Sequence, residues 1–298
     1  MIDEKVLSFN ENQLKRSGFG DAFTAELKAQ MEQGIPLIQY SFHKEYDGDQ
    51  LQATLHLKKS SVSDYYSLKK FDLQLQKEGL ATAVKHSFNI TDTNFGTNKI
   101  DGQHYKNENR LTLQEAYNLL SGRSVYKYLS NADGIQEHAW VKLNLKNDLR
   151  NNNTNKTIYQ TNRGFDLEKV LNNYPIKELN AKGSKHALIQ SLQRGNVKKV
   201  TFIGHKKQEE HLYISPNPIL GILNVYDKHK QRLSTSEMVD KNYIGRDFAL
   251  RVGDTSNQQK QVETKNIKME NRIQKLSPKE EDKISDLMSK KFQKHKIR

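Results

Sequence analysis

The stretch Ser191–Phe202, SLQRGNVKKVTF, ends an apolar-periodic run on a glycine and then begins an alternating one. The same phrase recurs at Leu119–Leu129, LLSGRSVYKYL, and more faintly at Gln30–Phe42, QMEQGIPLIQYSF. Before the first glycine, Phe23, Leu27 and Met31 are four residues apart, which places them on one helical face. Before the second, Leu113, Tyr117 and Leu120 share a face. Gly34, Gly122 and Gly195 supply the left-handed residue that commonly ends a helix. Strands follow each time. Leu51, Ala53, Leu55 and Leu57 alternate with Gln52, Thr54, His56 and Lys58, and Ala139, Val141, Leu143 and Leu145 alternate with Trp140, Lys142, Asn144 and Lys146, as in a sheet with one buried and one wet face. Asp47-Gly48 is a hairpin signal, and NADG at 131–134 reads as a second turn. In the third unit, strands are expected in NVKKVTFIG, EEHLYI and ILNVYD, with SPNPILG as a loop.

These patterns predict an α+β protein of three divergent helix-plus-antiparallel-β-meander units, followed by a polar linker and a C-terminal amphipathic helix. The glycines are 88 and then 73 residues apart, too irregular for a solenoid. Chance similarity of ordinary helix–glycine–hairpin segments is the competing account. The expected boundaries are 1–105 for the first unit with an N-terminal helix, 106–180 for the second, and 181–234 for the third. A linker is expected over 235–275 and the terminal helix over 276–298. The segment DLEKVLNNYPIKEL reads as helical up to Tyr174, where Pro175 should stop it. In the terminal segment Ser277, Pro278 and Glu280 form a helix-start signature, and Ile284, Leu287, Met288 and Phe292 form an apolar stripe suited to docking a partner.

The chain carries 48 Lys and Arg against 35 Asp and Glu, a net charge of +13. Residues 254–298 hold 12 against 7, so +5 of this excess lies there and +8 in residues 1–253. A spread positive charge points to a polyanionic partner. With no cysteine, disulfides, thiolate metal sites and cysteine nucleophiles are excluded, and a reducing compartment fits. The N-terminal segment has no signal-peptide pattern and no run reaches the roughly 18 apolar residues of a span, so a cytoplasmic protein is expected.

The third unit is the most basic. Lys198, Lys199, Lys206, Lys207, Lys228, Lys230 and Arg232 lie there with His205, and a meander should bring HKK at 205–207 and KHKQR at 228–232 to one sheet edge. Such a cluster could hold a phosphate backbone by charge, joined by Lys290, Lys291 and Lys294 near the C-terminus. Solvated loop lysines are the plainer account. Tyr213 and Tyr226 are candidates for base stacking beside those cations, and Trp140 reads as packing. No metal site is expected: His43, Glu45, Asp47 and Asp49 lack the closing Glu of a calcium loop, and no HExxH occurs. Glu137 and His138 point to opposite faces of a strand, and Gly18–Gly20 lacks the rest of a dinucleotide fingerprint. No catalytic residues and no cofactor are therefore expected, and the protein does not read as an enzyme.

Several longer phrases carry a resemblance. LKRSGFGDAF, LQATLHLKKSSVSDYYSLKKFDLQLQKEG, LTLQEAYNLLSGRSVYKYLSNADGIQEHAWVKLNL, GFDLEKVLNNYPIKEL and ISPNPILGILNVYDKHKQRL resemble an uncharacterised protein family carried on conjugative transposons and related mobile elements of Bacteroidetes. The likeness extends to about Leu233. It departs at NRGFDL, where members often carry an aromatic residue or His before the glycine. The resemblance implies a setting of DNA transfer, its regulation or cargo maintenance, and supplies no reaction and no catalytic residue. The expectation is a non-enzymatic accessory protein of a mobile element that binds nucleic acid. The alternative is an adaptor that binds mobile-element or host proteins through sheet edges and the C-terminal helix.

Overall fold

The structure is a computed structural model and describes residues 3–80, 82–90, 99–100, 103–104, 111–130, 136–143, 156–160, 165–204 and 207–250. Asp3 starts the first helix, α1 (Glu4–Arg16), by accepting the Lys5 amide at 2.8 Å. A 3-10 turn at Gly20–Ala22 leads to α2 (Ala25–Glu32), which Thr24 caps. Four antiparallel strands follow in sequence order: β1 (Leu37–Tyr46), β2 (Asp49–Lys59), β3 (Tyr66–Gln76) and β4 (Val84–Asn89). A short pair, β5 (Lys99–Ile100) and β6 (Gln103–His104), precedes α3 (Leu113–Leu120) and a meander of β7 (Val125–Ser130), β8 (Gln136–Leu143) and β9 (Lys156–Gln160). Then come α4 (Leu167–Leu171), a 3-10 turn at Lys177–Asn180, α5 (Lys182–Gln193), a second three-stranded meander of β10 (Lys198–Ile203), β11 (Glu209–Asn217) and β12 (Ile222–Tyr226), and α6 (Thr235–Asp240).

Every strand pair is antiparallel, and the fold is α+β. The chain divides into two compact units, 1–244 and 245–298. Of the second, residues 245–250 are described, and 246–250 are helical. No helix among the described residues is long and apolar enough to cross a membrane.

The order helix, glycine, meander occurs three times, at α2, α3 and α5. Gly34, Gly122 and Gly195 have φ of 69°, 78° and 81°. At α3 the Gly122 amide donates to Leu119 O and the Arg123 amide to Asn118 O, and at α5 Gly195 and Asn196 donate likewise to Leu192 O and Ser191 O. This is the paired closure of a Schellman end. It recurs at α1 through Gly18 and Phe19, and at α6 through Asn242 and Tyr243, neither of which starts a meander. The glycine therefore marks a helix stop in general. Asp47 and Gly48 both have positive φ, 54° and 86°, as a two-residue type I′ hairpin requires. The expected turn NADG and the loop that follows β8 lie outside the described residues.

Sequence periodicity gives α3 one apolar face, yet seven of its eight residues are buried, Glu115 and Asn118 among them. Both polar groups are satisfied. Glu115 closes a capping box, its Oε2 accepting the Thr112 amide at 2.9 Å, while its Oε1 lies 2.7 Å from Lys127 Nζ on β7. The two side chains of that pair are 7% and 6% exposed. Asn118 Nδ2 donates to Arg194 O and to Asn196 Oδ1, which ties α3 to the end of α5. One apolar core runs continuously from α1 and the four-stranded sheet through α3 to β7 and β8. At the opposite edge of the four-stranded sheet, β4 pairs with β3 only from Lys70 onward. Before that point the side chains of α1 complete the ladder: Asn10 Oδ1 accepts Tyr66 N, Gln13 Oε1 accepts Leu68 N, and Gln13 Nε2 donates to Tyr66 O.

Trp140, read as packing, is buried against Tyr126 and Phe165 although strand alternation puts it on the face opposite Ala139 and Val141. Three expectations are corrected. The helix before Pro175 ends at Leu171, because Asn173 Nδ2 bonds the Lys169 and Val170 carbonyls and turns the chain. Ser215–Asn217 belong to β11 rather than to a loop. Pro216 is tolerated there because pairing with β10 has already ended at Ile214, so its missing N–H faces no strand. Finally, residues 235–244 are not linker: Ser234 and Glu237 form a capping box, and Met238, Tyr243 and Ile244 are only 3%, 3% and 4% exposed. The rest of the expected linker and the terminal helix lie outside the described residues.

Two stability outcomes follow from this packing. A Cβ at Gly122 meets nothing within 4 Å, whereas one at Gly195 would lie 2.8 Å from Ser124 O. In urea unfolding, Gly122→Ala should cost about 1–2 kcal/mol for its left-handed backbone, and Gly195→Ala distinctly more; equal losses would show that the close approach carries no cost. Glu115→Ala should cost about 3–5 kcal/mol by stripping a buried ammonium of its carboxylate. The double change Glu115→Gln with Lys127→Met, which keeps the cap acceptor and removes the charge, should cost less.

Candidate functional site

The β10–β12 register sorts side chains onto two faces. Val200, Phe202, Leu212, Ile214, Leu223 and Val225 share the inner face and are all buried. Tyr174 lies on it, its ring 6.2 Å from that of Phe202, and Tyr243 meets Phe202 at 4.9 Å. Burial pushes the Tyr174 hydroxyl up to about 12, and it stays a neutral group that accepts the Leu223 amide at 3.1 Å. Lys199, Thr201, Glu209, His211, Tyr213, Ser215, Asn224 and Tyr226 share the outer face, where Lys199 and His211 are exposed.

Both edges of this sheet are covered by the chain itself. Along β10, Ile176 bridges Phe202, the Ile203 amide donates to Pro175 O, and the Thr201 amide donates to both carboxylate oxygens of Glu178. Along β12, Arg232 bridges Tyr226 and the Leu233 amide donates to Val225 O. The strand edges that would serve an adaptor are thus taken in this sheet.

The basic residues predicted from sequence are brought together in part. Lys207 lies in the turn between β10 and β11, and Lys228 and Lys230 lie in the turn after β12, on the same side of the sheet, whereas Arg232 bridges Tyr226 in the row of Lys199; all four are exposed. Lys207 and Lys230 take left-handed backbone, with φ of 62° and 59°. Asp227 shapes the second turn by accepting the His229 and Gln231 amides, each at 2.8 Å. Lys198 and Lys199 are exposed at the start of β10, next to the Ile214 and Tyr213 positions and away from the HKK turn. His205 and Lys206 lie outside the described residues, as do Lys290, Lys291, Lys294 and the stripe Ile284, Leu287, Met288 and Phe292.

This end also carries acidic groups, which pair with cations from other segments. Glu209 pairs with Lys177 at 2.6 Å, and Lys230 reaches Asp47 in the β1–β2 hairpin at 3.4 Å. Glu210 accepts from Lys241 at 3.0 Å and from the Tyr243 hydroxyl. Burial pushes the Glu210 carboxyl up, but these two hydrogen bonds outweigh it and hold the group below its ordinary value. The Tyr243 hydroxyl is driven upward by burial and by Glu210. Lys207 and Lys228, with Arg232 beside the end of β12, thus form the cationic part of this region.

Elsewhere, His56, Asp72 and Ser87 meet on the four-stranded sheet. His56 Nε2 lies 2.6 Å from Asp72 Oδ2, and Ser87 Oγ donates to the other Asp72 oxygen. The carboxylate stands between serine and imidazole, so the imidazole is not placed to take the serine proton. Among the described residues no group of three His, Asp or Glu side chains is arranged to hold a metal ion. No family model, curated protein or solved structure matches the chain.

Because the folded Glu210 value lies below 4.5, its pairing stabilises the fold above that pH, and the contribution is lost as pH falls through the depressed folded value. Glu210→Gln should therefore flatten part of the acid limb of a stability-versus-pH curve. The same variant should raise polyanion affinity near neutral pH, since it removes one negative charge from the basic end. An unchanged acid limb would mean that the carboxylate contributes nothing there.

Proposed function

We propose that the protein is a non-enzymatic accessory factor of a mobile genetic element that acts in the cytoplasm and binds nucleic acid through its third meander and basic C-terminal region. The observation that carries this reading is the exposure of Lys207 and Lys228 in turns on one side of the third sheet, with Arg232 exposed beside the end of β12, in a sheet whose inner face and edges are occupied. An open cationic end with closed edges suits a phosphate backbone better than an added strand. The net charge of +13 supports the reading, and the resemblance to mobile-element proteins supplies the setting.

A second reading, a protein-binding adaptor, is favoured by one patch. Phe9, Tyr65 and Val62 are 48%, 38% and 91% exposed, and the Phe9 and Tyr65 rings meet edge to face at 4.9 Å.

Salt separates the two. Anisotropy of labelled DNA titrated with the full chain should give an affinity that falls steeply with salt, whereas binding through an apolar patch would not. Replacing Lys207, Lys228 and Arg232 by Gln should lower affinity and reduce the log–log salt slope by about 0.9 for each phosphate that is no longer neutralised. An unchanged slope in a variant that unfolds at the wild-type urea concentration would overturn the assignment to this end of the sheet.

A further inference from the structure

We propose that the outer face of the β10–β12 sheet is a stacking platform for single-stranded nucleic acid, with two successive bases laid on Tyr213 and Tyr226. This rests on the nucleic-acid reading above and names the form of strand and the surface that takes it. The register pairs Lys199 with Tyr213 and Tyr213 with Tyr226, so one row across three strands reads cation, ring, ring. Directly opposed residues in an antiparallel sheet stand about 5 Å apart at Cβ. A stacked strand rises about 3.4 Å per nucleotide and extends further when unstacked, so adjacent bases can meet adjacent rings.

The surroundings fit that occupant. Lys199 is exposed at one end of the row, and the exposed Arg232 is bridged to Tyr226 at the other. Lys207 and Lys228 sit in turns that both lie beyond the same side of this row, so the backbone of a strand crossing the rings would have cations at the two ends of the row and along one side of it. The Tyr226 hydroxyl meets Ser215 Oγ at 3.3 Å, which fixes the side chain against β11. The nearby amides are engaged among themselves: Asn224 Nδ2 donates to Ser215 Oγ at 3.4 Å, and Asn217 Nδ2 donates to Asn224 Oδ1 at 3.0 Å. With these groups occupied, base edges are not read, and recognition rests on ring faces that every base possesses. A duplex keeps its bases inside and can meet only the cations, so the platform favours the single strand.

The test uses the full chain with labelled oligothymidylate, oligouridylate and a duplex, each about 15 nucleotides long, the upper range for one such platform. Tyr213→Ala and Tyr226→Ala should each weaken single-strand binding about five- to hundredfold and leave duplex affinity and its salt slope unchanged. Tyr213→Phe should retain binding, because stacking does not need the hydroxyl. Photocrosslinking of a bromouracil-containing strand to the unaltered protein should label the peptides that hold Tyr213 or Tyr226, a readout that requires no variant to fold. Wild-type single-strand affinity in the alanine variants, or crosslinks confined to other peptides, would overturn the platform while leaving charge-based binding in place. Absence of binding to all three oligonucleotides would overturn the underlying nucleic-acid reading as well.

Discussion

The Glu115 carboxylate is the group on which the arrangement of unit 1–244 depends. A helix buried on nearly all sides must satisfy its first amides without water. In α3 the Glu115 carboxylate accepts the Thr112 amide, the Thr112 hydroxyl accepts the Glu115 amide and the Ser17 carbonyl accepts the Leu113 amide, and the same carboxylate reaches a lysine on the next strand. Burying an ion pair carries a desolvation cost, so the pair specifies how α3 meets β7 more than it adds net stability. With α3 fixed, the four-stranded sheet and the β7–β9 meander share one continuous core on either side of it. Asn118 carries the same logic to the end of α5, where Gly195 approaches the Ser124 carbonyl closely enough to exclude a side chain.

The third meander inherits its orientation from that contact. Its inner face is apolar because Tyr174, Ile176 and Tyr243 must be housed there, and its outer face is left to polar and aromatic groups. Charge is distributed accordingly. The acidic residues at the turn end are held in pairs with Lys177 and Lys241, or used to build a turn in the case of Asp227. What faces outward is then more basic than the local sequence count suggests.

Much of the fold is legible in the sequence. Strand alternation in β2 and the Asp47-Gly48 hairpin depend on side-chain parity and left-handed backbone, which are local properties. The environment of α3 is not legible, because its Glu and Asn are ordinary helix-surface residues until a lysine and two backbone turns from distant segments meet them. Trp140 escapes the alternation rule for a related reason: alternation identifies the face of a strand, and Phe165 decides that this face is covered. That Lys207 and Lys228 lie in turns on the same side of the third sheet follows from meander topology. The pairing of Tyr213 with Tyr226 is within reach too, since the two residues are hairpin neighbours, but it needs the extension of β11 through Pro216 to fix the register. The salt links that neutralise Glu209 and Glu210 come from Lys177 and Lys241, each more than thirty residues away in the chain, and no local pattern signals them.

The covers on the β10 and β12 edges have a consequence for synthesis. The segment that shields β10, Pro175–Glu178, precedes the strand and is already outside the ribosome when β10 emerges. The shield of β12 follows it, at Arg232 and Leu233, so that edge stands open while the next few residues are added. The nascent sheet is therefore protected on its leading side from the outset and vulnerable on its trailing side only briefly. A chain truncated between Tyr226 and Arg232 would keep β12 exposed for good, as an invitation to strand exchange between copies.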